Sequence, residues 1–384
     1  MSEGWQTKRL GDVCTLQRGF DLPKRLRQPG EHPLISSSGE IDSHSEAKVP
    51  APGVATGRSG SIGNVFYIEE DFWPLNTVLY VKDFHGNDER FVYHLLKKFD
   101  LKKYASGAGV PTLNRNNVHD VEVCIPTCKE EQKRIVAILD EAFAAIDKAM
   151  ANAKKNLANA RELFESYLES MFDVRDKEWS EYHLGDPSLI EIIDGDRGKN
   201  YPKKSDFQSE GFCLFLNTKN VRPDGFNFDS LMFISEEKDE ALRKGKLKRR
   251  DVIITTRGTI GNIALYDDSV PYNEIRINSG MLIFRPNEER MLSDYLFEIL
   301  RSSTIKRQIT QTVSGAAQPQ LPIKTLVKFN IPVPKDLGQQ RTIVSKLRHM
   351  SAETDVLASI YRKKISASHE LRQSLLHQAF AGGM

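Results

Sequence analysis

Cysteine is scarce: Cys14, Cys124, Cys128 and Cys213 make one CxxxC and no second pair. That pattern supports neither a disulfide framework nor a zinc site, so reduced thiols are expected. Long apolar runs are missing too. No segment approaches the roughly 18 residues of a membrane span, and residues 1–10 lack a signal-peptide core, so a cytoplasmic chain with no membrane partner is expected. Neither sign of charge dominates. With 54 Lys and Arg against 52 Asp and Glu, net charge announces no nucleic-acid partner, and only the clustering of charges is informative. No GxxxxGK[ST] occurs; GDRGKN (195–200) lacks both the spacing and the hydroxyl, so P-loop nucleotide hydrolysis is not supported. No two prolines are adjacent, which excludes the Asp/Asn-Pro-Pro-aromatic motif expected of an amino-methyltransferase that holds an extruded base.

What is present is a repeat. IPTCKEEQKRIVAILD (125–140) and VPKDLGQQRTIVSKLR (333–348) match in one ungapped register at Pro126/Pro334, Gln132/Gln340, Ile135/Ile343, Val136/Val344 and Leu139/Leu347. The same register pairs SGAGVPTL (106–113) with SGAAQPQL (314–321). Further upstream it slips, yet GSIGN (60–64) still echoes GTIGN (258–262), and WQTKRLGD (5–12) echoes WSEYHLGD (179–186). The period far exceeds the roughly 20 to 50 residues of a solenoid, so a tandem duplication of a whole unit is expected. Both copies end in a long apolar stripe at steps of three and four. From Lys129 to Phe172 no Pro or Gly interrupts it, and a second stripe runs from Leu337 to just before Gly382. A helix of about 44 residues is about 65 Å long, more than one domain core covers, so the two helices are expected to pair as an antiparallel coiled coil. Short β-rich runs such as NVFYI (64–68) and VIITT (252–256), with helical patterns at 91–99 and 294–303, make each globular part mixed α/β. The expected organisation is α/β domains at 1–128 and 174–335, each followed by a long helix, at 129–173 and 336–384.

The chemistry-bearing residues favour binding. Arg18, Lys24, Arg25 and Arg27 cluster in the first copy; the second carries RKGKLKRR (243–250), with Lys248 and Arg249, as well as Lys199 and Lys203. Such clusters neutralise phosphates without reading sequence. Base reading needs paired donors and acceptors on loops held by a frame, and the repeats place TGRSGS (56–61) against TTRGT (255–259) and GVPTLNRNN (109–117) against AQPQLPIK (317–324). Arg58, Ser59, Thr112, Asn114, Arg115 and Asn116 are the candidates in the first copy, and Thr256, Arg257, Gln318, Gln320 and Lys324 in the second. Each is equally well a polar turn residue taken alone. Pro223 and Asp224, followed by Glu236, Glu237 and Lys238, resemble the PD...ExK pattern of metal-dependent nucleases, an alternative weakened by the commonness of ExK here. A non-catalytic coiled-coil scaffold is the other alternative.

LGD near the start, a Gly-rich IGN loop, GxxxPxL, then Ile/Val-Pro and a long helix opening RIV or TIV, all present twice, resemble the specificity subunit of type I restriction-modification systems. The resemblance covers essentially the whole chain. It implies two target recognition domains that each read one half of a bipartite, gapped double-stranded DNA target. It also implies that this chain is non-catalytic and carries no cofactor. Two modification subunits would use S-adenosylmethionine, and restriction subunits would use ATP and Mg²⁺. The helix entrances, through exposed faces at Glu131, Gln132, Arg134, Gln339, Gln340 and Arg341, are the expected docking positions for the modification subunits. One departure is the helix approach, IPTCKEEQ and VPKDLGQQ where the family's form is PLPPLxEQ.

Overall fold

The computed structural model describes residues 4–107, 109, 111–172, 179–313 and 320–381. The chain forms two compact units, Met1–Asn156 with Tyr361–Met384, and Leu157–Ile360. The first stripe is a helix over Lys129–Phe172 and the second a helix over Leu337–Ala379. Each unit therefore contains part of both helices, a division that the expected boundaries, with helices as separate segments, did not describe.

Both units repeat one topology. In each, the entering strand pairs antiparallel with the strand that leads into the long helix, Trp5–Arg9 with Glu122–Pro126 and Ser180–His183 with Asn330–Val333. A four-stranded sheet follows the same order twice: Thr15–Arg18, Val78–Asp83, Gly53–Gly57, Val65–Ile68 in the first unit, and Ile190–Asp194, Met281–Pro286, Val252–Thr255, Ile263–Leu265 in the second. A smaller sheet centres on His32–Ser36 or Cys213–Leu216, each with one antiparallel and one parallel neighbour.

The shared sequence landmarks have physical reasons. GSIGN and GTIGN close the turn between the last two strands in the order of the larger sheet, and Gly60, Gly63, Gly258 and Gly261 all have φ between +71° and +87°, where a side chain is strained. The Leu of each PxL plugs the core, Leu113 at 1% and Leu321 at 2% exposure, while its amide bonds the Gly-rich loop at Arg58 O and Thr256 O. In the first unit Ile135, Leu139, Phe143 and Ile146 share a core with Leu376, Ala379 and Phe380, and Arg372 meets Asp147 at 2.7 Å and covers the Phe143 ring. The early turns of one helix thus meet the late turns of the other, an antiparallel pairing. In the second unit Leu168 and Phe172 share a core with Ile343, Val344 and Leu347.

All four cysteines are free thiols, and burial pushes Cys14 up to about 12. No helix among the described residues is long and apolar enough to cross a membrane.

Candidate nucleic-acid interface

The first unit gathers five of its candidates around one cleft. Arg18 at the end of its strand, Arg58 in the Gly-rich loop, Thr112 in the PxL strand, and Asn114 and Arg115 at the start of the short helix Arg115–His119 line a cavity of about 350 Å³. Ser59 bridges to Thr112, which fixes the two loops against each other. Arg58 donates to Asn76 O at 3.4 Å, and Arg18 pairs with Asp21 at 3.0 Å while half of its side chain stays exposed. Asn114 Oδ1 caps the short helix by accepting from the Asn116 amide at 3.1 Å, leaving the Asn114 amide group as the outward donor. The wall thus presents guanidinium and amide N–H groups, which suit the acceptor-rich guanine edge or a phosphate. Asn116 is exposed beside it. Lys24 and Arg25 are exposed on the turn Lys24–Leu26 and are not among the residues that line this cleft. Arg27 folds back instead: its side chain is 17% exposed and meets Asp42 at 3.7 Å, so it is a poor phosphate ligand.

The second unit carries different groups on the same frame. The sheet ladders place Asp194 where the first unit has Arg18, since Asp194 pairs with Leu282 as Arg18 pairs with Leu79. The ion pair is reversed as well: Arg18–Asp21 at 3.0 Å becomes Asp194–Arg197 at 3.1 Å. The loop register shows that the two arginines of these loops are not equivalent. Gly57 N bonds Asn64 O as Thr255 N bonds Asn262 O, and the bridges Ser59–Thr112 and Arg257–Gln320 coincide, so Arg58 matches Thr256 and Arg257 matches Ser59. Arg257 and Gln320 are exposed side by side, with Lys324 exposed on the next short helix, Ile323–Leu326. Gln318 lies outside the described residues. Thr256 is 6% exposed, between the amide of Leu321 and the carbonyl of Gly280, and is a frame residue rather than a reading one.

The basic run 243–250 is not a continuous patch. Arg249 donates to the carbonyls of Asp267, Val270 and Tyr272 and to Asn273 Oδ1, and stacks over Tyr266, so its guanidinium is spent inside the unit. Lys246 pairs with Asp239 and Glu274, and Arg250 with Asp294. Lys248 remains exposed, as do Lys199 and Lys203.

The helix entrances hold a second correction. Gln132 and Gln340, expected on an exposed docking face, are 2% and 0% exposed. Each amide braces the helix entrance against a loop: Gln132 donates to Asn87 Oδ1 and Pro126 O and accepts from the Asp88 amide, while Gln340 donates to Arg290 O and Pro334 O and accepts from the Leu292 amide. The helix turns these side chains inward because the loops before the helices Glu89–Lys98 and Ser293–Arg301 need their polar backbone satisfied. Gln339 and Arg341 are exposed; Glu131 and Arg134 pair with each other at 2.7 Å. Gln132→Ala and Gln340→Ala are each expected to cost about 1–3 kcal/mol by orphaning buried groups, read by urea unfolding. A variant of unchanged stability would remove the brace.

The nuclease alternative finds no site. Asp224 is exposed at a turn, Lys238 is tied to Asp206 at 3.1 Å, and no group of three or more metal-ligating side chains exists among the described residues.

Comparison with known proteins agrees with the doubled frame. The model of the type I restriction modification DNA specificity domain matches residues 2–157 and 176–363. The chain is similar to the type I restriction enzyme MjaVIII specificity subunit of Methanocaldococcus jannaschii, 24% identical over 314 residues, covering 77% of this chain and 70% of that one. The EcoBI specificity subunit of Escherichia coli is 24% identical over 156 residues, 41% of this chain and 32% of that one. Among solved structures, a chain described in work on complex assembly and conformational transition of the type I R-M system superposes with a TM-score of 0.77 at 18% identity, covering 100% of this chain and 99% of that one. The HsdS subunit from Thermoanaerobacter tengcongensis gives 0.57 at 20% identity, covering 100% and 98%. With both copies matched by one family model over most of its length, the chain belongs to the type I restriction-modification specificity family.

Proposed function

We propose that each unit of this specificity subunit reads one block of a bipartite double-stranded DNA target, and that the long helices set the unread gap between the blocks. The observation that carries this reading is one frame bearing two sets of outward donors: Arg18, Arg58, Asn114 and Arg115 in the first unit, Arg257, Gln320 and Lys324 in the second. Two different surfaces on equivalent loops suit two different half-sites. The chain itself performs no catalysis in this reading. Two modification subunits, docked near the helix entrances through groups such as Gln339 and Arg341, supply S-adenosylmethionine chemistry, and restriction subunits supply ATP- and Mg²⁺-dependent cleavage. Extruding the target adenine costs a few kcal/mol, which clamping the duplex on both sides helps to offset.

The test is an adenine methylation map of DNA from cells that express the chain with a modification subunit. Two short blocks at a fixed spacing are expected. Adding four residues to each long helix lengthens it by about 6 Å, close to two base pairs, and is expected to widen the gap accordingly. A single block, or a gap unmoved by the insertion in a folded complex, contradicts the assignment.

A further inference from the structure

The two units differ where their smaller sheets turn. In the first, His32–Ser36 runs into Gly39–His44 through only Ser37 and Ser38. In the second, the equivalent strands Cys213–Leu216 and Phe233–Ile234 are joined by residues 217–232. This insertion contains a hairpin, Val221–Arg222 paired with Gly225–Phe226, with Pro223 and Asp224 at the tip and Gly225 at φ +117°.

The hairpin has a stiff base. Asn220, 2% exposed, donates to Asn227 O at 3.1 Å and Ser230 O at 2.8 Å and accepts from the Asn217 amide at 3.0 Å. Phe226 stacks on Phe228 at 5.5 Å, and Phe228 abuts Tyr272. The base is also fastened to the loop that carries Arg257. Asn262 Nδ2 donates to Val221 O at 2.9 Å, and Thr259 Oγ1 donates to Thr218 O at 3.4 Å. In the first unit the equivalent Asn64 holds Ser37 O at 3.4 Å, so the inserted segment replaces the short turn at the same place on the frame. Arg222 and Asp224 are exposed, and neither has an ion-pair or hydrogen-bonding partner for its side chain among the described residues.

We propose that the hairpin Val221–Phe226 is a base-reading element of the second unit, presenting Arg222 and Asp224 to base edges beside Arg257. This rests on the reading that the second unit binds DNA. A two-stranded ribbon fits the major groove, which is about 12 Å wide, and Arg donates in pairs to guanine while Asp accepts from the cytosine amino group. The acid at the tip argues against a phosphate contact, because it repels the backbone that an all-basic tip would attract.

Full-length chain with Arg222→Ala and Asp224→Ala together, co-expressed with a modification subunit, is mapped for adenine methylation beside the unsubstituted complex. One block is expected to lose about 5- to 150-fold discrimination at one or two positions, with the other block and the gap unchanged. A second variant, with residues 217–232 replaced by two serines as in the first unit, is expected to shorten the same block. If that variant does not fold, the surface pair still decides. An unchanged block with an unchanged affinity overturns the proposal, as does binding weakened equally on all sequences. Absence of a second block in the unsubstituted complex refutes instead the DNA reading on which the proposal rests.

Discussion

Phe380→Ala is expected to destabilise the first unit by about 3–5 kcal/mol while leaving the second unit's unfolding unchanged. Phe380 is 2% exposed, with its ring 5.1 Å from that of Phe91, and it belongs to the core that contains Leu10, Leu95 and Ile135. Lys98 Nζ lies 5.8 Å from its ring centroid and donates to its carbonyl at 3.4 Å. The last turns of the chain therefore complete a core whose other members come from its beginning. Truncating the ring removes transfer free energy and leaves a cavity that the flanking strands and helices cannot fill without moving. Leu371→Ala, nine residues earlier and 51% exposed, serves as the control and is expected to stay within about 0.5 kcal/mol. Hydrogen exchange resolved by unit provides the measurement. Equal losses for the two variants, or a loss shared by both units, would show that the helix end is not a core element of the first unit.

The duplication and the two helices were legible in the sequence because their signals are local or repeated: an unbroken apolar period without Pro or Gly, and glycines recurring at one spacing. Arg18, Arg58 and Arg115 were legible by side-chain type, and the fold brings them to one cleft. Other residues of the same types mean something else. Gln132 is polar at the start of a helix, yet Asn87 and Asp88 approach it from 45 and 44 residues earlier and bury it. Arg249 reads as basic within a basic run, but carbonyls 18 to 23 residues later claim its N–H groups. Burial set by such distant partners leaves no local trace. The hairpin Val221–Phe226 did leave one: Trp179 lies further ahead of GTIGN than Trp5 lies ahead of GSIGN, and an insertion in one copy of a repeat marks a segment that the frame does not need.

Asp239→Ala in the second unit is expected to cost about 3–5 kcal/mol, because it strands a buried guanidinium rather than merely deleting a contact. Asp239 and Arg276 each keep 8% of their side chains exposed, and Arg276 Nε donates to Asp239 Oδ1 at 2.6 Å. Arg276 also bonds Lys244 O and Asp239 O, both at 2.8 Å, while Lys246 holds the other carboxylate oxygen. Burial alone would raise the Asp239 pKa; the hydrogen bonds from Lys246, Cys213 and Arg276 and the charge of Arg276 outweigh it and leave the carboxyl below its ordinary value. A depressed folded pKa contributes stability that is present above the unfolded value and lost as pH falls through the folded one. The second unit is thus expected to weaken as pH drops below the ordinary aspartate range, and Asp239→Asn, less stable at neutral pH, is expected to show a flatter profile across that window. Urea midpoints taken as a function of pH decide it; parallel profiles would mean that the pair is screened by solvent. The same network bears on recognition. Arg276 lies in Ile275–Ile277, which pairs parallel with Cys213–Leu216, the strand that leads into the inserted hairpin. Loosening it frees the base from which Arg222 and Asp224 project, so Asp239→Asn is expected to blur one half-site before it unfolds the unit.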